Sequence, residues 1–377
     1  MKKNICFVVA SPITAKAFLL NHFEFLSRDF NIYLVANFEE DKTATFTSPY
    51  VKGLKNIRIQ RNISVFSDIK ALFALLRYFK EIQFDAVHTV TPKAGLLGIL
   101  ASRLAGVNKR FHIFTGQVWY TKTGFFKRLL MFLDWFIVKN ATDILVDGES
   151  QRQFLIVNNI VDEANSFVLG KGSISGVDTI RFAPNTSVKN EIRLELGIKP
   201  NELVYMFLGR MNRDKGIIEL AEAFNRLRQN YSKVKLLLVG SDEENMTTIV
   251  QQKVGEIDSV IFYGVTPQPE LLLQACDVFC LPSYREGFGT GVIEASLLEK
   301  PIICSDTYGL METIIEGKTG LRHKVGDVES LYDNMEILVV NHELGVSLGK
   351  KGRIYVLENF SAHEISKKWV QFYKDKV

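Results

Sequence analysis

A chain of 377 residues, 47% of them hydrophobic, is longer than one typical domain and holds enough apolar side chains for two sizeable cores. The net charge of +4 is divided: residues 1–180 carry 22 Lys and Arg against 15 Asp and Glu, and residues 181–377 carry 24 against 27. So scattered a surplus excludes a nucleic-acid groove but suits a domain held against anionic lipid, and no apolar run approaches the roughly 18 residues that a spanning helix needs.

Met1-Lys2-Lys3-Asn4 carries the charge of a signal peptide, but the apolar run that follows, 5–10, is short and reads as a first strand. Cys6, Cys276, Cys280 and Cys304 have neither zinc-ligand spacing nor a disulfide framework, which predicts buried thiols in a reducing compartment and a cytoplasmic protein. Short strands and helices alternate through 5–10, 16–27, 32–36, 68–79, 86–89, 96–104, 111–114, 125–139, 144–146 and 150–158. Strands resume after 172–184, at 203–208, 235–239, 260–263, 278–281 and 301–304. This rhythm predicts an α/β chain of two Rossmann-like, doubly wound parallel-sheet domains, 1–180 and 181–360, with a last helix within 361–377.

Such sheets place ligands at the carboxyl ends of their strands. In the first half that rule singles out Ser11 and Thr14 after the first strand, Lys93 in the turn after the strand that ends near His88, and Thr115 and Gln117 after the strand 111–114. Lys93 suits an anionic acceptor; His88 and His112, inside apolar strands, read as core histidines. In 121–140 a basic, aromatic front end with Lys122, Phe125, Phe126, Lys127 and Arg128 precedes an apolar helix. Leu130, Leu133 and Ile137 face a sheet, and the front end resembles an interfacial helix lying on lipid headgroups.

In the second half, Gly209-Arg210-Met211-Asn212-Arg213-Asp214-Lys215-Gly216 turns from a strand into a helix. Arg210 offers a planar fork and Lys215 a point charge for phosphate oxygens. Gly240-Ser241-Asp242 and Tyr263-Gly264-Val265 end two further strands and would wall a nucleotide base through backbone groups. Arg285-Glu286-Gly287-Phe288-Gly289-Thr290-Gly291-Val292-Ile293-Glu294 then runs from a strand through a glycine-rich turn into a helix. Its amides and helix dipole favour a diphosphate, with Glu286 in the loop and Glu294 about one turn into the helix facing sugar and ribose hydroxyls.

Glu286 and Glu294 form the E-x7-E pattern of retaining glycosyltransferase family 4, and Gly209-Arg210 with Lys215-Gly216 resembles that family's diphosphate-binding turn. The resemblance extends through Asp85-Ala86-Val87-His88-Thr89, Pro92–Gly98, Gly176-Val177-Asp178 with Arg181-Phe182, and Glu316–Leu321. It is nearest to the branch that builds bacterial capsule, O-antigen and related surface polysaccharides. The resemblance implies a GT-B fold whose last helix packs back on the first domain, with the active site in the cleft between domains. It also implies a nucleotide-sugar donor, a uridine nucleotide in this branch, although no residue fixes uracil over guanine, and a lipid-linked saccharide acceptor at the inner membrane face. The family's Gly-Gly turn after the first strand is absent. Thr115 stands where the family has the histidine that contacts the donor sugar, so no catalytic histidine is carried over.

There is no Asp-x-Asp pair and no His/Cys cluster with ligand spacing, so no metal and no separate cofactor are expected. The expected chemistry is retaining transfer of a hexosyl or N-acetylhexosaminyl group, with Arg210 and Lys215 neutralising the leaving diphosphate and Glu286 offsetting charge on the sugar ring. A sugar-nucleotide epimerase of the same architecture, or a binding protein that has lost catalysis, are the alternatives.

Overall fold

The computed structural model describes residues 1–39, 46–60, 64–255 and 257–377. The chain divides into one unit of Met1–Gly176 with Ala362–Val377 and a second of Val177–Ser361. The change of unit falls four residues before the expected boundary at 181, because Val177 donates its N–H to Phe360 O and bridges to Ser361, which ties it to the second unit.

The first unit runs β1 (Asn4–Val8), α1 (Pro12–Phe18), α2 (Leu20–Ser27), β2 (Asn31–Ala36), β3 (Val51–Asn56), α3 (Val65–Ile82), β4 (Ala86–Val90), α4 (Pro92–Leu104), β5 (Lys109–Phe114), α5 (Gly124–Asn140), β6 (Asp143–Val146), α6 (Glu149–Val157) and β7 (Ser166–Val168). The strands form one parallel sheet in the order β3-β2-β1-β4-β5-β6-β7. β1 and β4 are buried over most of their length, as central strands of a sheet covered on both faces must be.

The second unit runs α7 (Thr186–Glu195), β8 (Leu203–Leu208), α8 (Ile217–Asn230), β9 (Val234–Val239), α9 (Met246–Val254), β10 (Val260–Gly264), α10 (Pro269–Ala275), β11 (Val278–Leu281), α11 (Thr290–Leu297), β12 (Ile302–Ser305), β13 (Leu321–His323), α12 (Val328–Val340) and α13 (His342–Asn359). Its sheet is parallel in the order β10-β9-β8-β11-β12-β13. One continuous core fills it, from Val204–Phe207 through Phe279 and Ile293 to Phe360.

The last helix, α14 (Ala362–Lys376), packs on α2 in the first unit. Trp369 is fully buried, donates Nε1–H to Ile174 O at 3.2 Å and stacks on His22 at 4.8 Å and His88 at 5.2 Å. His22 in turn bonds Ser366 and Ile174, and His88 bonds the Tyr373 hydroxyl. Burial holds the His22 imidazole down at about 4, so these rings are neutral packing elements.

Three strands escaped the sequence pattern. β3, Val-Lys-Gly-Leu-Lys-Asn, is a largely exposed edge, and β7 and β13 have three residues each. Where a loop was expected at 11–14, Ser11 instead caps α1, its Oγ accepting the Ile13 N–H at 3.3 Å, and Thr14 lies inside that helix.

Candidate active site

In the second unit β9, β8 and β11 are neighbours in the sheet, so the turns that leave their carboxyl ends are neighbours too. Met211 bridges to Asp242, with Met211 N–H donating to Ser241 O at 2.8 Å and Glu243 N–H to Met211 O at 3.0 Å. A side chain at Gly240 would bring its Cβ to 1.8 Å from Gly209 O, so glycine is what lets these turns lie together.

Each cation assigned to a diphosphate faces a carboxylate. Arg210 Nη1 reaches both oxygens of Glu243, at 3.2 and 3.0 Å, and Asn212 Nδ2 donates to the same group at 2.9 Å. Lys215 Nζ lies 2.5 Å from Glu286 Oε1, which also accepts from Ser283 Oγ at 2.7 Å. The Lys215 and Glu286 side chains are only 16% and 13% exposed, so water screens the pair weakly. Any anion that takes Lys215 must compete with Glu286.

A second ion pair joins the two turns. Arg285 Nε is 2.9 Å from Asp214 Oδ2, Tyr284 N–H donates to Asp214 O at 2.9 Å, and the Tyr284 hydroxyl donates to Glu219 at 2.8 Å. Gly216, at φ +67°, closes the junction, since a Cβ there would stand 2.1 Å from Pro282 O. Asp214 and Arg285 were not singled out from sequence; their opposite charges at neighbouring strand ends were the available signal.

Gly289 is the N-cap of α11, and no side chain caps that end. Glu294, one turn further on, is half-buried and accepts no hydrogen bond among the described residues. Burial pushes its carboxyl up to about 7; Arg181 opposes that shift and Glu270 adds to it. Arg181 is itself paired to Glu270 at 2.6 Å. Gly287 lies in the loop and Thr290 is half-exposed, whereas the Phe288 ring is buried against Phe360 with centroids 5.1 Å apart. Phe288 therefore offers a ligand its backbone and not its ring. Tyr263, near the end of β10, and Val265, just after it, are exposed.

The first-unit candidates fare less evenly. Lys93 is drawn to Asp68, Nζ to Oδ1 2.7 Å, with both side chains mostly buried, so, as at Lys215, any anion that takes it must compete with a carboxylate. Gln117 is buried, its Oε1 accepting from Gln151 Nε2 at 3.1 Å, and Gln151 accepts the Asp147 N–H at 3.0 Å. Thr115, Thr14 and Ser11 stay partly accessible. His112 is buried with Nδ1 2.8 Å from Thr89 Oγ1, and burial lowers it to about 3. Among the described residues no group of three or more His, Cys, Asp or Glu is placed to hold a metal ion.

Two family models match: residues 188–355 match "Glycosyl transferases group 1" and residues 4–146 match "Glycosyl transferase 4-like". The chain is 30% identical over 316 residues to the capsular polysaccharide biosynthesis glycosyltransferase CapM of Staphylococcus aureus, covering 82% of this chain and 81% of that one. It is 26% identical to an Escherichia coli UDP-Gal:alpha-D-GlcNAc-diphosphoundecaprenol alpha-1,3-galactosyltransferase, over 95% and 92% of the two chains. The fold matches sucrose-phosphate synthase from Thermosynechococcus elongatus (TM-score 0.84, 20% identity, 99% of each chain). It also matches Anabaena HepE in complex with UDP and glucose (TM-score 0.81, 17% identity, 99% and 100% of the chains). The protein belongs to the group 1 glycosyltransferases of family 4 and has their GT-B fold.

Proposed function

We propose that this glycosyltransferase moves a hexosyl or N-acetylhexosaminyl group, with retention, from a UDP-sugar to a hydroxyl of a lipid-linked saccharide in capsule or O-antigen-type synthesis. The observation that carries this reading is the junction of the turns after β8 and β11, where Lys215 meets Glu286 in the loop that leads to the uncapped start of α11, with Arg210 in the same turn as Lys215. Two cations and free amides suit a diphosphate, and one carboxylate among them suits a sugar ring that gains positive charge.

In the proposed reaction the glycosidic C–O bond to the diphosphate breaks, Arg210 and Lys215 take up the charge left on the phosphate, and Glu286, released from Lys215, offsets the ring charge. The acceptor hydroxyl attacks on the face the diphosphate leaves, and a phosphate oxygen accepts its proton. Glu294 holds ribose hydroxyls. Glu286 acts through its charge, and a covalent glycosyl-enzyme is not part of this scheme. The E. coli relative's name, with its galactosyl donor and diphosphoundecaprenol acceptor, supports the choice of substrate class.

The test is a screen of UDP-sugars with membrane-extracted polyprenyl-diphosphate saccharides, products read by NMR. A new glycoside with the donor's anomeric configuration is expected. An inverted anomer refutes retention, an epimerised nucleotide sugar identifies an epimerase, and unchanged substrates with tight UDP binding identify a binding protein.

A further inference from the structure

A cavity of roughly 580 Å³ opens in the first unit where β3 ends and α3 begins, and it shares no residue with the candidate active site. Its walls carry three cations, Lys55, Arg58 and Lys70, the hydroxyls of Ser64 and Ser67, and the Phe66 ring. None of the three cations forms an ion pair among the described residues. The acid nearest in sequence, Asp68, reaches the rim through the Ser64 N–H, which it accepts at 3.3 Å, but its charge is taken by Lys93 at 2.7 Å. Among the described residues the three cations thus share a concavity with no acid paired to any of them, and an anion would relieve their repulsion.

The same helix has a second face without a function in the fold. Ala71, Leu75, Tyr78 and Phe79 enter the core, yet Phe66, Ile69 and Phe73 are 85, 47 and 63% exposed. Their spacing of three and four puts them in one stripe that starts at the cavity with Phe66 and runs down the helix. A basic concavity continuous with an exposed apolar stripe matches a ligand with an anionic head and a long apolar tail.

We propose that this cavity binds the diphosphate of a prenyl diphosphate and that the prenyl chain lies along Phe66, Ile69 and Phe73. The proposal rests on the lipid-linked acceptor assigned above and adds where its carrier is held. Lys55, Arg58 and Lys70 take the phosphate oxygens, with Ser64 and Ser67 as hydroxyl donors.

Equilibrium dialysis of the full chain with labelled farnesyl diphosphate, at saturating UDP to occupy the donor side, tests it. The triple variant Lys55→Glu, Arg58→Glu, Lys70→Glu should bind both farnesyl diphosphate and inorganic diphosphate about tenfold more weakly or worse. Phe66→Ser with Phe73→Ser should weaken farnesyl diphosphate alone. All five positions are at the surface, and a thermal melt superimposable on that of wild type confirms that each variant is folded. Equal farnesyl diphosphate binding by wild type and the charge variant overturns the site. So does competition by farnesol, or by phosphatidylglycerol vesicles, as strong as that by farnesyl diphosphate, because either means the diphosphate is not what is recognised. Transfer to a polyprenyl-diphosphate saccharide separates the two ideas. If wild type and the charge variant transfer alike, the cavity assignment fails alone. If neither transfers to any lipid-linked saccharide, the acceptor assignment fails, and dialysis still decides the cavity.

Discussion

Lys215 and Glu286 occupy each other, and that separates the two cations in a way sequence alone does not. Lys215→Ala strips a partner from a mostly buried carboxylate and should cost about 1–3 kcal/mol of stability. Arg210→Ala, at a side chain 45% exposed, should leave melting nearly unchanged. Both should lose roughly 2–4 kcal/mol of transition-state stabilisation, the cost typical of one missing anion donor; steady-state kinetics beside thermal melts checks the split. Glu286→Gln should lower kcat, whereas Glu294→Gln should mainly weaken UDP binding, as titration of both variants will show. Because the Glu294 carboxyl titrates near 7, wild-type UDP affinity should fall as pH drops from 8 to 6, and Glu294→Gln should flatten that profile. Asp147 gives a separate pH signature. Buried with Oδ1 unpartnered, it is raised from 3.8 to about 7, so the native state holds the proton more tightly than the unfolded chain. Its stability contribution is intact below about pH 4, declines as pH rises toward 7 and is gone above that. Melting temperature should therefore drop between pH 5 and 8, and less steeply in Asp147→Asn; an identical slope refutes the assignment.

At the scale of elements, the site depends on two turns being one object. Asp214 and Arg285 join them through a pair about three-quarters buried, and each turn carries one member of the Lys215–Glu286 pair. Arg285→Asp should lower kcat more than it lowers UDP affinity, and the swap Asp214→Arg with Arg285→Asp should recover part of the loss, on the order of 1 kcal/mol of coupling. A purely structural pair would show coupling in melting alone. These turns were legible in sequence because their signals are local: an apolar run, glycines, then a helix with charged residues at fixed spacing. The same locality explains what was missed. β3 and β13 sit at sheet edges with few apolar residues, so no run of hydrophobicity announced them. Lys93 reads as a free cation in its turn until Asp68, 25 residues earlier in sequence, is brought against it. Glu243 was invisible as the partner of Arg210 for the same reason.

At the scale of the whole molecule, among the described residues one core cluster fills the second unit and three pack about the sheet of the first, and net positive charge and aromatic exposure gather in the first unit. No described helix is long and apolar enough to cross a membrane, yet α5 exposes Phe125, Phe126, Leu129, Phe132 and Trp135. It buries only Asp134, Ile137, Val138 and Asn140. Its basic residues are not equivalent. Lys122 and Arg128 are exposed, whereas Lys127 is half-buried with Nζ 5.8 Å from the Trp119 ring centroid, and Trp119 donates to the buried Asp134 at 2.7 Å. Changing Lys127 would disturb that packing, so Lys122→Glu and Arg128→Glu with Phe125→Ser and Phe126→Ser is the cleaner variant. If α5 lies on lipid, each exposed cation adds on the order of 1 kcal/mol at an anionic surface, screened over a Debye length of about 10 Å at 0.1 M salt. Wild type should then sediment with phosphatidylglycerol vesicles at low salt and less at high salt. The variant should remain in the supernatant, while UDP binding in the second unit stays unchanged. Wild type that never sediments, or a variant that sediments equally, would leave α5 as a helix with an exposed aromatic face and no lipid contact.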